Sequence, residues 1–170
     1  MSNWYVLYVN TGSEDDVKKV ILRDIPKVDV RVFKNEKVER KDGITKIVIR
    51  PLFPGYVFIK CLLTDQIYYK LVEVPGVIKI LGTRSKLNYG NPSPVPDCEM
   101  DRVLGYTTGD VIKVSEAVIQ NGKIKILSGA LLGKERFIKK VNTRKGRVKA
   151  LLHIYDKPKV IEFSIIIKEP

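Results

Sequence analysis

The residues best equipped for chemistry lie in one short stretch. Lys134 to Lys149 holds eight basic side chains, Lys134, Arg136, Lys139, Lys140, Arg144, Lys145, Arg147 and Lys149, and one acid, Glu135. At this density lysine and arginine bind phosphate by charge, and arginine can also reach base edges through its planar fork. Strand alternation places Arg147 and Lys149 on the face opposite Val148. Lys139 and Lys140 then flank a hairpin whose turn carries Arg144 and Lys145. This is binding chemistry, and nothing beside it reads as catalysis. The single histidine, His153, sits inside the apolar run Leu151-Leu152-His153-Ile154-Tyr155 and is expected to be simply packed or half exposed, not a general base. Cys61 and Cys98 have neither metal spacing nor a histidine at a useful interval. There is no phosphate-binding glycine loop and no paired-carboxylate motif. The expectation is a protein with no catalytic residue, no metal and no cofactor.

The balance of charge supports a polyanionic partner. The 170 residues carry 31 Lys and Arg against 19 Asp and Glu, a net +12. Residues 1–105 contribute 17 basic and 13 acidic groups, and residues 106–170 contribute 14 and 6, so the shorter part holds +8 of the excess. Such a surplus favours nucleic acid. A hydrophobic share of 44% is that of a globular chain. No apolar stretch is long enough to span a bilayer, and Met1-Ser2-Asn3-Trp4 does not open a signal peptide. Two distant cysteines fit a reducing compartment, so a cytoplasmic location without membrane contact is expected.

The elements that must position these residues divide into two groups. Trp4 to Val9 reads as a buried strand. Ser13 is a candidate helix N-cap, followed by Glu14, Asp15 and Asp16, where the helix dipole favours acids. Val17, Val20, Ile21 and Ile25 then recur at helical spacing until Pro26. Val28, Val30 and Val32 alternate as a strand, and Asp42-Gly43 signals a hairpin between 37–41 and 44–50. Tyr56 to Leu63 is a strand, Thr64 caps a second helix, Pro75-Gly76 ends it, and Val77 to Leu81 is a strand again. The stretch from Gly82 to Pro96 is rich in Gly and Pro and reads as loop. A short helix with Met100, Val103 and Leu104 on one face closes the first domain. The second reads as strands alone: 111–114, 123–127, 137–141, 147–154, 159–163 and 165–168. Asn121-Gly122, Arg144-Lys145-Gly146 and Asp156-Lys157-Pro158 are its turns. The expected fold class is α+β. An antiparallel sheet with flanking helices occupies residues 1–105, and a small β-barrel occupies residues 106–170.

The segment Arg50-Pro51-Leu52-Phe53-Pro54-Gly55-Tyr56-Val57-Phe58-Ile59 is the most distinctive in the chain. With Trp4-Tyr5-Val6, Val74-Pro75-Gly76-Val77 and Pro94-Val95-Pro96, it resembles the N-terminal domain of the NusG family of transcription elongation factors. Gly109-Asp110, Val114 and Lys125-Ile126-Leu127-Ser128-Gly129-Ala130-Leu131-Leu132-Gly133 resemble the KOW motif, which sits on a small SH3-like barrel. The resemblance runs in order over nearly the whole chain. It implies a bacterial, non-enzymatic factor that docks on the clamp helices of RNA polymerase. The matching aromatic concavity is Trp4, Tyr8, Phe53, Pro54 and Tyr56.

Three departures from the family pattern refine what the resemblance implies. Glu73-Val74 stands where members that read the non-template strand often have a polar pair, and an acid there repels phosphate. Lys134 stands where an aromatic usually helps dock a ribosomal protein or termination factor. Arg136 stands where a glycine is usual. Cations replace a docking site, which resembles the specialised LoaP-type antitermination paralogs. The partner expected for the barrel is a structured RNA hairpin in the nascent transcript, since the strands lack the aromatic series that stacks unpaired bases. Arg40, Lys41 and Lys46 of the first hairpin are expected to add contacts, and the protein is expected to be a monomer. Two alternatives stay open: a housekeeping NusG-type pausing and termination-coupling factor, and a KOW-containing ribosomal or rRNA-binding protein.

Overall fold

A computed structural model describes residues 1–82 and 91–169. Most of the expected 82–96 loop therefore lies outside the described residues. In chain order the elements are β1 (Asn3–Val9), α1 (Glu14–Asp24), β2 (Asp29–Arg31), β3 (Lys34–Lys41), β4 (Ile44–Pro51), β5 (Tyr56–Cys61), α2 (Asp65–Val72), β6 (Val77–Ile80) and α3 (Asp97–Tyr106). Six further strands follow: β7 (Val111–Ile112), β8 (Ser115–Gln120), β9 (Lys123–Ser128), β10 (Ile138–Asn142), β11 (Arg147–Ile154) and β12 (Lys157–Ile167). The chain folds into two compact units whose segments interleave. The first comprises Met1–Val32 and Phe53–Met100, and the second Phe33–Leu52 and Asp101–Pro170. A linear cut after residue 105 places the β3–β4 hairpin in the first domain, whereas by contact it groups with the β-rich C-terminal segment.

In the first unit the sheet order is β2-β5-β1-β6, with every neighbour antiparallel. Alternation sorts its residues cleanly. Tyr5, Leu7, Val9, Val57 and Ile59 form one core with Val17 and Ile21 of α1 and Leu71 of α2. The opposite face pairs Trp4 with Lys60, Val6 with Phe58 and Tyr8 with Tyr56. Thr64 caps α2 as expected, accepting the Ile67 amide at 3.3 Å. Ser13 precedes α1 but does not cap it, because its hydroxyl donates to the Asn10 carbonyl at 2.6 Å. The polar work at that terminus falls to Glu14, described below.

The second unit has two sheets. One is β4-β3-β7, and the other runs β10-β11-β12-β8-β9, antiparallel except for the parallel pair β12 and β8. Asp42-Gly43 and Asn121-Gly122 take the left-handed conformations that two-residue hairpin turns require. Gly129 is obligatory, because a side chain there would overlap the Val114 carbonyl and the Ser115 backbone. Three strand expectations need correction. β8 was not foreseen. The division of 159–168 into two strands at Ser164 is wrong, since β12 runs through it. Ser164 is a polar residue inside a strand, buried because its hydroxyl is used. The last turn is Tyr155-Asp156, both at positive φ, so Lys157 and Pro158 already belong to β12.

Candidate binding surfaces

Two surfaces gather the residues of interest. The first surrounds the Phe53-Pro54-Gly55 turn. Glu14, 5% exposed, accepts the Gly12 amide at 2.8 Å and the Gly55 amide at 2.7 Å. A carboxylate at the head of α1 thereby fixes the turn, and Gly55 at φ +79° completes it. The turn presents Phe53 and Tyr56, whose rings stack at 6.5 Å, while Tyr8 meets Tyr56 edge-on at 6.2 Å. Tyr8 is 37% exposed, Tyr56 half-buried and Pro54 exposed. Phe53 is 8% exposed and leans on the fully buried Phe58. Trp4, at 5%, is core: Val95 bridges to its backbone and Lys60 lies over its ring. The structure thus brings Tyr8, Phe53, Pro54 and Tyr56 together at one corner. Trp4 is set into the sheet at the other end of β1.

The second surface is basic. By segment, the second unit carries 21 basic and 10 acidic residues, net +11, and the first unit 10 and 9, net +1. The expected cations fall into three sets. Lys139, Lys140, Arg144, Lys145 and Lys149 are exposed. Lys140 faces Lys149 directly across the β10–β11 pair, a like-charge register that is unfavourable without a counter-anion. Lys134 is half-buried with its ammonium 5.2 Å from the Tyr106 ring centroid, and the Arg136 guanidinium lies 4.6 Å from that of Phe137. Arg147 is committed internally. Its guanidinium donates to the Ser164 hydroxyl at 2.5 Å and the Val38 carbonyl at 2.7 Å, and its Nε lies 3.4 Å from Glu162.

Arg147 belongs to a seam that ties the β3–β4 hairpin to β12. The Val38 amide donates to Ser164 Oγ at 3.2 Å, Asn35 Nδ2 to the Glu162 carbonyl at 2.7 Å, and Lys37 to Glu162 Oε1 at 3.1 Å. On the same hairpin Glu36 accepts the Val114 amide and the Lys113 ammonium, each at 2.9 Å. For Glu36 and Glu162 alike, burial raises the carboxyl pKa, but these donors and their charges outweigh it and leave the net shift downward. The hairpin tip and the β10–β11 turn consequently line one cleft of about 590 Å³, with Arg40, Lys41 and Thr45 on one side and Arg144, Lys145 and Arg147 on the other. Lys46, expected to contribute, is not among the lining residues. Asn35 and Ser164, polar residues inside strands, are both buried in this association.

His153 lies on the outer face of β11 opposite Pro158. Cys61 is buried, which pushes its thiol up to about 11, and Cys98 is exposed. Among the described residues no cluster of His, Cys, Asp and Glu is arranged to hold a metal, and no helix is long and apolar enough to cross a membrane.

An antiparallel α+β unit followed by a KOW-like β unit is the architecture of a class of transcription factors. The chain belongs to the NusG family: the family model described as transcription termination factor nusG matches residues 2–104. Among similar proteins, the transcription termination/antitermination protein NusG of Bacillus subtilis is 25% identical, covering 98% of each chain. That of Streptococcus pyogenes is 27% identical over 95% of this chain and 92% of its own. A solved structure of Thermotoga maritima NusG shares the fold, with a TM-score of 0.53, 24% identity and coverage of 96% and 94%.

Proposed function

We propose that this NusG-family protein is a specialised antitermination factor, resembling the LoaP type, that docks on RNA polymerase and grips a structured RNA hairpin. The Tyr8, Phe53, Pro54 and Tyr56 corner is the polymerase contact. Rigid aromatic anchors with polar tips supply interface area at low rotamer cost. The RNA contact is the basic face of the C-terminal strands, with Lys139, Lys140, Arg144, Lys145 and Lys149 reaching phosphate. Lys134 and Arg136 sit at its border, and Arg147 acts by positioning. The observation that carries this reading is the run of exposed cations on β10, β11 and their turn, where Lys139, Lys140, Arg144 and Lys145 make no ion pair among the described residues. The protein acts as a monomer in the cytoplasm, without a cofactor and without catalysis. Exposed Glu73 disfavours contact with a DNA strand at the Pro75-Gly76 turn.

The test is transcription in vitro by purified bacterial polymerase through an intrinsic terminator placed downstream of candidate leader RNAs. Read-through that depends on one hairpin and on the added protein is the expected result. Unchanged termination with every leader, despite polymerase binding, would overturn it. Full-length similarity to termination/antitermination proteins supports a second reading, a general termination-coupling factor. Tight binding to a ribosomal or termination-factor partner, measured by calorimetry, would establish that role. The Lys134 ammonium over Tyr106 argues for weak binding, and Lys134→Phe is expected to restore it in part.

A further inference from the structure

We infer that the β3–β4 hairpin is part of the RNA-binding site. Its tip, Arg40–Thr45, and the Thr143–Gly146 turn form one cradle for the phosphates of a base-paired RNA stem. This rests on the proposed RNA-binding reading and gives the contribution expected of Arg40 and Lys41 a built site, shared with Arg144 and Lys145. The cleft lined by the two tips holds Arg40, Lys41, Arg144, Lys145 and Arg147 against one lining carboxylate, Glu39. That carboxylate is already matched, since Arg50 donates to it at 2.9 Å. Arg40, Lys41, Arg144 and Lys145 are exposed and make no ion pair among the described residues. Four unmatched cations in one concavity repel one another, and a polyanion removes that cost.

The cradle is built, not incidental. Arg147 crosses from β11 to the Val38 carbonyl, and Ser164 accepts from both Arg147 and the Val38 amide. The turn is pressed equally hard onto β12. The Ile165 amide donates to the Gly146 carbonyl at 3.0 Å, and a Cβ on Gly146 would stand 2.7 Å from the Ile165 carbonyl. The Lys145 amide is held by Asn142 Oδ1 at 2.9 Å. The hairpin is therefore held at Val38, two residues from its tip, and the facing turn is held on β12, which reduces the ordering cost of binding. The lining also selects the ligand. Its apolar members are Val38, Ile165 and Ile166, with no aromatic ring on which an unpaired base can stack. Phosphates presented by a duplex backbone fit; splayed bases do not.

The experiment uses the full chain and a synthetic RNA hairpin with a stem of about one helical turn, titrated at several salt concentrations. Three double variants are compared: Arg40→Gln with Lys41→Gln, Arg144→Gln with Lys145→Gln, and a charge-matched control outside the cleft, Lys70→Gln with Lys157→Gln. Both cleft variants are expected to lose roughly 10- to 100-fold in affinity near 0.1 M salt and to lower the salt slope by about 2. The control is expected to change affinity by less than about 3-fold, the scale of screened long-range charge. If the Arg40 and Lys41 variant behaves like the control while the Arg144 and Lys145 variant loses affinity, the cradle is wrong and the RNA-binding reading survives. If both match the control, the RNA-binding reading falls with it. A wild-type chain that binds polyglutamate as tightly as RNA of equal charge would also overturn the inference, in favour of an acidic protein partner.

Discussion

The aromatic corner of the first unit and the cationic cleft of the second are built on the same plan with opposite signs. Each is a turn pinned by one charged side chain withdrawn from solvent. Glu14 holds the Phe53-Pro54-Gly55 turn through the Gly55 amide, and Arg147 holds the β3–β4 hairpin through the Val38 carbonyl. What surrounds the anchor differs. The turn that Glu14 holds presents Tyr8, Pro54 and the half-buried Tyr56, and the unit is nearly neutral. The cleft at Arg147 presents lysines and arginines, and the unit carries +11. A near-neutral aromatic surface stabilises a complex by desolvation, with little salt dependence. A cationic surface binds through counterion release and weakens steeply as salt rises. If both proposed surfaces bind, salt alone distinguishes them.

The sharpest way to break that comparison is to neutralise the cations. Lys139→Gln, Arg144→Gln and Lys145→Gln together are expected to weaken hairpin binding by roughly 10²- to 10³-fold near 0.1 M salt and to lower the salt slope by about 3. Polymerase affinity should not change. A matching loss of polymerase affinity, read by the same titration, would show that the two surfaces are not independent. The reciprocal change is Tyr56→Ala, expected to cost about 2 kcal/mol of polymerase binding with RNA affinity and salt slope intact. Tyr56 is preferred to Phe53, because Phe53 is buried against Phe58 and its truncation would also cost stability.

The anchors differ in legibility as well as in sign. Most of the aromatic corner could be read from the sequence, because Phe53, Pro54 and Tyr56 lie within one distinctive Pro-Gly segment; Tyr8 joins them from β1. Local turn chemistry was legible for the same reason: Asp42-Gly43 and Asn121-Gly122 are two-residue signals. The cleft was not. It depends on residues more than a hundred positions apart, Val38 with Arg147 and Asn35 with Glu162. No local pattern encodes such a pairing, and each participant alone resembles a surface residue on a strand. Ser164, the residue between the two expected strands 159–163 and 165–168, is the acceptor that joins β3 to β11 and β12. Arg147 falls among the expected RNA-binding cations, since sequence spacing cannot tell a solvated guanidinium from one bonded inside the protein.

The anchors themselves give a smaller effect. Replacing Glu14 by Ala leaves the buried Gly55 amide without its acceptor, and the expected loss of stability is about 1.5 kcal/mol by chemical denaturation. Polymerase affinity should fall with it, since the turn that presents Tyr56 loses its clamp. A stability loss with unchanged polymerase affinity would show that the corner does not depend on its anchor.

The smallest expected effect is on pH, and it probes the seam that makes the cleft. Glu36 and Glu162 both have carboxyl pKa values held below the ordinary 4.5. In each case burial acts upward and is outweighed, by the Val114 amide and Lys113 for Glu36, and by Lys37, Arg147 and Lys149 for Glu162. A carboxyl whose folded pKa is depressed contributes stability that is fully present above its unfolded pKa, and loses it as pH falls through the folded value. The seam should therefore be insensitive to pH from neutrality down to about 4.5 and weaken only below that. Glu162 is partly exposed, with a side chain 37% accessible, so solvent screening limits its share. The readout is hydrogen-exchange protection of the Val38 and Val114 amides, corrected for intrinsic rates; Val38 donates to Ser164 and Val114 to Glu36. Protection at both is expected to fall at most about fivefold as pH drops below 4.5, the scale of a screened pair. Amides of β1, which face no such carboxylate across the sheet, should keep theirs. Glu36→Gln should flatten the pH response at Val114, with a lower plateau. A loss of protection beginning near neutrality would mean that some other group controls the seam, and that the hairpin is not held by these two acids.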